Sequence, residues 1–384
     1  MKRKSKKGTK YTAAVLAVVI LLGMLQAVSR PAEAALGKNS KIAEKRAVWI
    51  SMIDYKKLLL DKSEKKFRSR FTAMCKRVKK NKLNTLILHV RPNADAFYDS
   101  EYFPWSVWAN SGGKDPGYDH LEIMVEIGHK QGLKVEAWIN PYRITNNTED
   151  TKRVKKTKWY KKHKSYIMRY QTAGQKCLSL NPAKKKARSL IVKGVEEILD
   201  YYEVDGIHMD DYFYVPGMGK GLSEKEKKAN VNKLVRQLYQ LVKDHDEDCE
   251  FGISPAGNLE NARAQGADVD RWLREEGYVD YLMPQIYWTD SYRQDGKEVA
   301  MYTNRVKEWR DLWENDKVKL YVGLGLCYAQ EKPDGDPGWK KTNNLARQYK
   351  IAGKSGYQGF GLFSYRYLES KAVQKEIKNL RKKL

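Results

Sequence analysis

Eight short apolar or alternating runs, each parted from the next by a stretch of helical periodicity, constrain this chain more than any other feature. They are RAVWIS (46–51), NTLILHV (84–90), KVEAWIN (134–140), DGIHMD (205–210), EFGIS (250–254), VDYLMPQIY (279–287), KLYVGLG (319–325) and GFGLFSY (359–365). The segment before the fourth run, NPAKKKARSLIVKGVEEILDYYEV, shows the intervening pattern. Leu190, Ile191, Val195, Ile198, Leu199 and Tyr202 recur at helical spacing, with Asn181 suited to the N-cap and Pro182 to the first helical position. A strand that returns parallel to its predecessor needs a crossover, usually a helix. Regular alternation therefore predicts an α/β chain with a parallel sheet, and eight units in this length predict a closed (β/α)8 TIM barrel over residues 46–384. An open doubly wound sheet would carry a Gly-rich phosphate turn after its first strand, and the sequence has none there.

One connection is out of proportion. Residues 141–180 join the third run to the next helix, and eight of the thirteen residues from Lys152 to Lys164 are Lys or Arg. Loops of this length are usually functional or disordered. A long basic insertion leaving the C-terminal end of the third strand should overhang the catalytic face. It reads either as a lip that grips an anionic polymer or as a solvated excursion.

In a barrel, the C-terminal strand ends surround the active site. Those ends carry Ser51 and Asp54, then His89, Arg91 and Asp95, then Trp138, Asn140 and Arg143. His208, Asp210 and Asp211 follow the fourth strand, Ser254 and Asn258 the fifth, Gln285, Tyr287 and Trp288 the sixth, and Tyr365 the eighth. A ring of amides, carboxylates and aromatics is poor core material, but it suits sugar hydroxyls and pyranose faces. Within DGIHMDDYFY (205–214), strand alternation puts His208 and Asp210 on the axial face and Ile207 and Met209 against the helices. Asp210 then sits at the mouth, His208 lies one layer below as its hydrogen-bond partner, and Asp211 falls at the turn.

Glycoside hydrolysis needs two carboxyl groups. Asp210 is the first choice, with Asp211 or Asp95 ahead of the deeper Glu136 as its partner; Asp211 also reads as a loop-orienting residue. His208-x-Asp210 with His89 leaves a metal-dependent hydrolase or deacetylase open, although no HExxH motif occurs. No GxSxG elbow is present either, and Ser254 precedes a proline better suited to a bend.

Nine stretches in order, RAVWIS, HVRPNADAFYDSEYFPWS, DPGYDHLE, EAWINPYR, LNP, VDGIHMDDYFY, ISPAGN, YLMPQIYW and KLYVGLG, resemble the glycosyl-hydrolase-like family 10, secreted bacterial barrel proteins distinct from the xylanases of that number. The resemblance spans roughly Arg46 to Tyr365. It implies a barrel that cleaves glycosidic bonds in envelope polysaccharide, with peptidoglycan glycan strands as the substrate class; no cofactor or metal is expected. By position it implies Asp210 and Asp211 as the acidic pair, with His208 beside them. Arg91, Asp95, Trp105, Trp138, Asn140, Arg143, Tyr212, Asn258, Gln285 and Tyr287 would line the cleft. Trp105 and Trp108 read as stacking platforms or as a loop packed under itself. Arg91 and Arg143 read as clamps for substrate carboxylates or as braces for Asp95 and Asp210. A barrel that binds wall glycan without cutting it remains the non-enzymatic alternative.

The N-terminus fits export. Lys and Arg precede an apolar run from Ala13 to Val28, and Ala32-Glu33-Ala34 forms an A-x-A site, the order of a Sec-type signal peptide cleaved after Ala34. Residues 35–45 then form a linker. A retained anchor is the alternative, since the run is only slightly short for a span. The first 34 residues hold seven Lys/Arg and one Glu, so cleavage leaves +20 of the chain's +26. An exported protein of that charge meets anionic wall polymers rather than nucleic acid, or is simply made soluble by it. Four scattered cysteines without a CxxC pair suit buried thiols in a chain this large.

Overall fold

The computed structural model describes residues 44–110 and 112–384. The leader and most of the linker lie outside these residues. Lys45 already opens the first strand, one residue ahead of the expected domain boundary. Eight parallel strands close into a barrel: β1 (Lys45–Ile50), β2 (Thr85–Arg91), β3 (Lys134–Ile139), β4 (Gly206–Met209), β5 (Glu250–Ile253), β6 (Tyr281–Leu282), β7 (Lys319–Leu324) and β8 (Gly359–Leu362). Neighbours in sequence pair in space, and β8 closes on β1 with Ala47 opposite Gly361.

Side-chain alternation divides the strands between two cores. Val48, Ile50, Leu86, Leu88, Val135, Ala137, Ile207 and Met209 face the helices and join the large outer core. Ala47, Trp49, Ile87, Trp138, Tyr281, Met283 and Tyr321 fill the barrel axis. Glycine makes that filling possible at Gly252, where a Cβ would lie 1.9 Å from the Tyr281 ring. β6 is the one expected strand that shortens sharply. Pro284 has no N–H to give to a ladder, and beyond Leu282 only single bridges from Gln285 to Ala256 and Gly323 continue the pairing.

The helices fall where the periodicity predicts, with local corrections. Ser223 forms a capping box with Glu226 at the start of helix Glu224–His245. The helix before β4 begins at Lys185, after N-cap Lys184, so Asn181 does not cap it. The Asn181 Oδ1 instead accepts from the Ala183 N–H in a turn of its own. After β5 the helical pattern breaks into two short pieces, Leu259–Ala264 and Val269–Trp272. The basic insertion is no loop: Arg143–Thr145, Ile167–Thr172 and Gln175–Leu180 form an antiparallel sheet, with short helices at Thr148–Lys155 and Lys158–His163. All four cysteines are buried and unpaired. Among the described residues, no helix is long and apolar enough to cross a membrane.

Candidate active site

The axis of the barrel carries an ordered polar chain from its floor to its mouth. At the floor the Lys45 ammonium pairs with Glu136 and lies 2.8 Å from Glu250. The Tyr281 hydroxyl donates to Glu136 Oε2 at 2.5 Å, and His208 Nδ1 meets the same hydroxyl at 2.7 Å. Trp49 Nε1–H donates to His208 Nε2 at 3.2 Å, which assigns the ring proton to Nδ1. Ser254 Oγ stands 2.9 Å from that same Nε2. Burial, with the Lys45 charge in support, holds the His208 imidazole well below its ordinary range, so it stays neutral. His208 therefore does face the axis below Asp210, but its partners are Tyr281, Trp49 and Ser254 rather than Asp210. Glu136 is likewise spent at the floor.

Above this chain β3 and β4 present their last inward residues. Asp210 is 5 % exposed. Its Oδ2 accepts from Asn140 Nδ2 and, at 3.3 Å, from Trp138 Nε1–H, while Oδ1 accepts from the Tyr212 N–H at 3.2 Å. Asn140 is oriented in turn, its Oδ1 accepting from Arg143 and from His89 Nε2. The His89 ring stacks on Trp138 at 3.6 Å, and the Arg143 guanidinium lies 4.4 Å over Tyr212. Each neighbour of Asp210 is thus fixed by a second contact. Burial first, then the charge of Asp211, pushes the Asp210 carboxyl up to about 7 against the opposing pull of Arg143 and Asn140. Burial also raises Asp211, opposed by hydrogen bonds that include one from Gln285. Like charges on adjacent acids oppose each other's ionisation, so the pair releases its protons in two separated steps.

The pair opens into a cleft of about 410 Å³ lined by Trp49, Ser51, Met52, Ile53, His89, Trp138, Arg143, Asn146, Asp210, Asp211, Tyr212, Ser254, Gln285, Tyr287 and Phe363. Of the residues expected to contact substrate, it brings together Trp138, Arg143, Tyr212, Gln285 and Tyr287. Asn140 sits one layer beneath, fully buried. The others lie elsewhere. Arg91 is wholly buried over the Phe103 ring at 4.7 Å. Asp95 holds its own loop through the Asn93 N–H and the Ser106 hydroxyl. Trp105 packs edge-on against His120 at 5.9 Å, and Trp108 joins the same core. Asn258 caps helix Leu259–Ala264 by accepting from the Asn261 N–H. Asp54 accepts from Ser51 and from the Arg366 N–H outside the cleft. The basic insertion contributes only Arg143 and Asn146.

Sequence reasoning passed over Trp49, Met52, Ile53, Asn146 and Phe363. Trp49 had a readable signal, two residues before Ser51 on the same strand face. Met52 and Ile53 lie in the single helical turn Met52–Tyr55 and Asn146 in a bend, where no periodicity marks them, whereas Phe363 shares the inward face of the expected eighth strand with Gly361 and carried the same signal as Trp49. The ligand set for a metal does not assemble: both nitrogens of His208 are engaged, His89 is held by Asn140, and no three His, Cys, Asp or Glu converge among the described residues.

Comparison with known proteins adds an independent line. The sequence profile of the "Glycosyl hydrolase-like 10" family matches residues 44–227 and 220–341. "Glycosyl hydrolase YngK" of Bacillus subtilis (strain 168) is 34 % identical over 347 residues, covering 80 % of this chain and 65 % of that protein. "Glycosyl hydrolase DigH" of Escherichia coli (strain K12) is 30 % identical over 296 residues, covering 67 % and 65 %. The chain thus spans about 65 % of the length of these relatives. In fold it is similar to the PgaB (BpsB) glycoside hydrolase domain from Bordetella bronchiseptica, with TM-score 0.59, 13 % identity and coverage of 88 % of this chain and 98 % of that one.

Proposed function

The chain belongs to the glycosyl hydrolase-like 10 family, and from that premise we propose that it is a glycoside hydrolase acting on cell-envelope polysaccharide, with peptidoglycan glycan strands as its substrate class. The observation that carries this reading is the adjacent acids Asp210 and Asp211 at the mouth of an aromatic cleft, where burial and the Asp211 charge push the Asp210 carboxyl up to about 7. A carboxyl that keeps its proton at neutral pH is suited to general acid catalysis. In this reading Asp210 gives its proton to the glycosidic oxygen as the C1–O bond breaks. Asp211, the less enclosed partner, is the carboxylate that attacks C1 or takes a proton from water. The guanidinium of Arg143, close to both acids, opposes the build-up of negative charge once Asp210 has lost its proton.

Aromatic walls support the choice of a sugar. Tyr212, Tyr287 and Phe363, all half-buried, supply aromatic surface around the pair, with the buried Trp49 and Trp138 beneath them, which suits pyranose rings better than a small polar metabolite. The order of the N-terminal sequence supports export through a signal peptide cleaved after Ala34, and N-terminal sequencing of protein recovered from the wall fraction should begin at Ala35. The exposed Lys and Arg of the insertion support attraction to anionic wall polymers. Mass spectrometry of products from purified sacculi tests the core of the reading. Native protein should release glycan fragments, and Asp210→Asn should release none while retaining its fold. Equal release by both would remove Asp210 from the mechanism.

A further inference from the structure

A second depression, of about 360 Å³, adjoins the cleft and shares Asp211, Gln285 and Tyr287 with it. Its far wall is aromatic: Trp288 and Tyr292 from the connection after β6, and Tyr328 from the short helix Leu326–Glu331 after β7. All three are half-buried and line the depression. Trp288 meets Tyr292 edge-on at 6.5 Å, and Tyr287 meets Tyr328 edge-on at 6.1 Å.

This wall is stitched in place from several sides. The Gln348 side-chain amide donates to the Trp288 carbonyl at 2.8 Å. Asp336 accepts from the Thr289 N–H at 2.7 Å, and the Arg293 N–H donates to the Gly335 carbonyl at 2.9 Å. Tyr292 itself opens a small antiparallel hairpin, Tyr292–Gln294 with Lys297–Val299. Two connections from separate β/α units are thereby locked together around an open aromatic trough. Asp211 lies at the boundary between this trough and the main cleft, with Asp210 on the cleft side. An enzyme that nibbles chain ends closes its cleft beyond the carboxylates, whereas here the lining continues on both sides.

Resting on the glycosidase reading, we propose that the trough formed by Tyr287, Trp288, Tyr292 and Tyr328 is a glycan subsite across the scissile bond from the main cleft, so that the enzyme cuts within chains. Rings of the polymer stack on the aromatic wall, while the residues on the other side of the bond occupy the cleft beside Trp138 and Arg143.

The test uses peptide-free wall glycan strands labelled at the reducing end. Native protein should give labelled fragments of intermediate length at early times. Release of only terminal mono- or disaccharides would overturn the inference and leave the glycosidase reading standing. Trp288→Ala and Tyr292→Ala should raise KM for long strands about tenfold, a loss of about 1.4 kcal/mol, with little change for the shortest cleavable fragment. Trp288→Phe, which keeps a ring, should recover most of the loss. Should native protein cut nothing, the glycosidase reading falls, and binding of the same strands decides the subsite. A matching loss for Trp288→Ala with long strands only sustains it, and equal binding by native protein and variant overturns it.

Discussion

Asp210→Asn is expected to stabilise the fold in alkali and to destabilise it in acid, and the difference can be worked from the site. Burial and the neighbouring Asp211 charge push the native carboxyl up to about 7 from an ordinary 3.8. Below 3.8 both folded and unfolded chains hold the proton and no charge penalty exists. As pH rises from 3.8 towards 7 the unfolded chain releases its proton first, and stability is lost until the folded form ionises as well. Each tenfold step is about 1.36 kcal/mol, so the penalty saturates at about 4 kcal/mol above neutrality and is only about 0.5 kcal/mol at pH 4. Asparagine carries no charge at any pH and escapes it. It also misplaces one amide hydrogen pair against donors, Trp138 Nε1–H and Asn140 Nδ2 on one side or the Tyr212 N–H on the other, which costs about 1–3 kcal/mol at every pH. The net expectation is a gain of about 2 kcal/mol at pH 9 and a loss of similar size at pH 4. Urea unfolding of native and variant protein at four or five pH values measures it. A difference that stays constant from pH 4 to pH 9 would refute the assignment of a proton-holding, charge-averse carboxyl at this position.

Other expectations follow from the same geometry. Turnover of glycan should fall as pH rises through about 7, because the proton on Asp210 is then lost; a pH–rate profile flat to pH 9 would argue against Asp210 as the acid. Tyr281→Phe removes the hydroxyl between His208 Nδ1 and Glu136 Oε2, leaving buried groups unpaired at a cost of about 1–3 kcal/mol, readable as a lowered urea midpoint. Gly252→Ala drives a methyl into the Tyr281 ring; overpacking of this kind costs about 1–3 kcal/mol or more, so thermal melting should drop clearly. Association with an anionic wall polymer should weaken steeply between low and physiological salt, whereas salt-independent co-sedimentation would remove the electrostatic account.

The fold was legible because it rests on periodicity. Alternation fixes which strand residues face the axis and which face the helices, whatever the distant partners are. His208 and Asp210 could therefore be placed inward from DGIHMD alone, and eight strand–helix units could be counted along the chain. Loop residues carry no such period. Asp95, Trp105 and Asn258 follow their strands and Arg91 ends β2 just past a register shift, yet each is claimed by a nearby partner: Ser106, His120, a helix N-terminus and the Phe103 ring. Composition could not foresee those claims, nor that the basic run would fold into helices beside a small sheet.

The sequence by itself determined the barrel, its strand order and the acid pair at the fourth strand, since these follow from spacing along one chain. Only the tertiary structure decided what surrounds that pair. The neutrality of His208, the proton held by Asp210 and the trough shared by Trp288, Tyr292 and Tyr328 all depend on which residues the fold brings together from distant parts of the chain. Burial and charge act through space, and neither leaves a local signature in the order of residues.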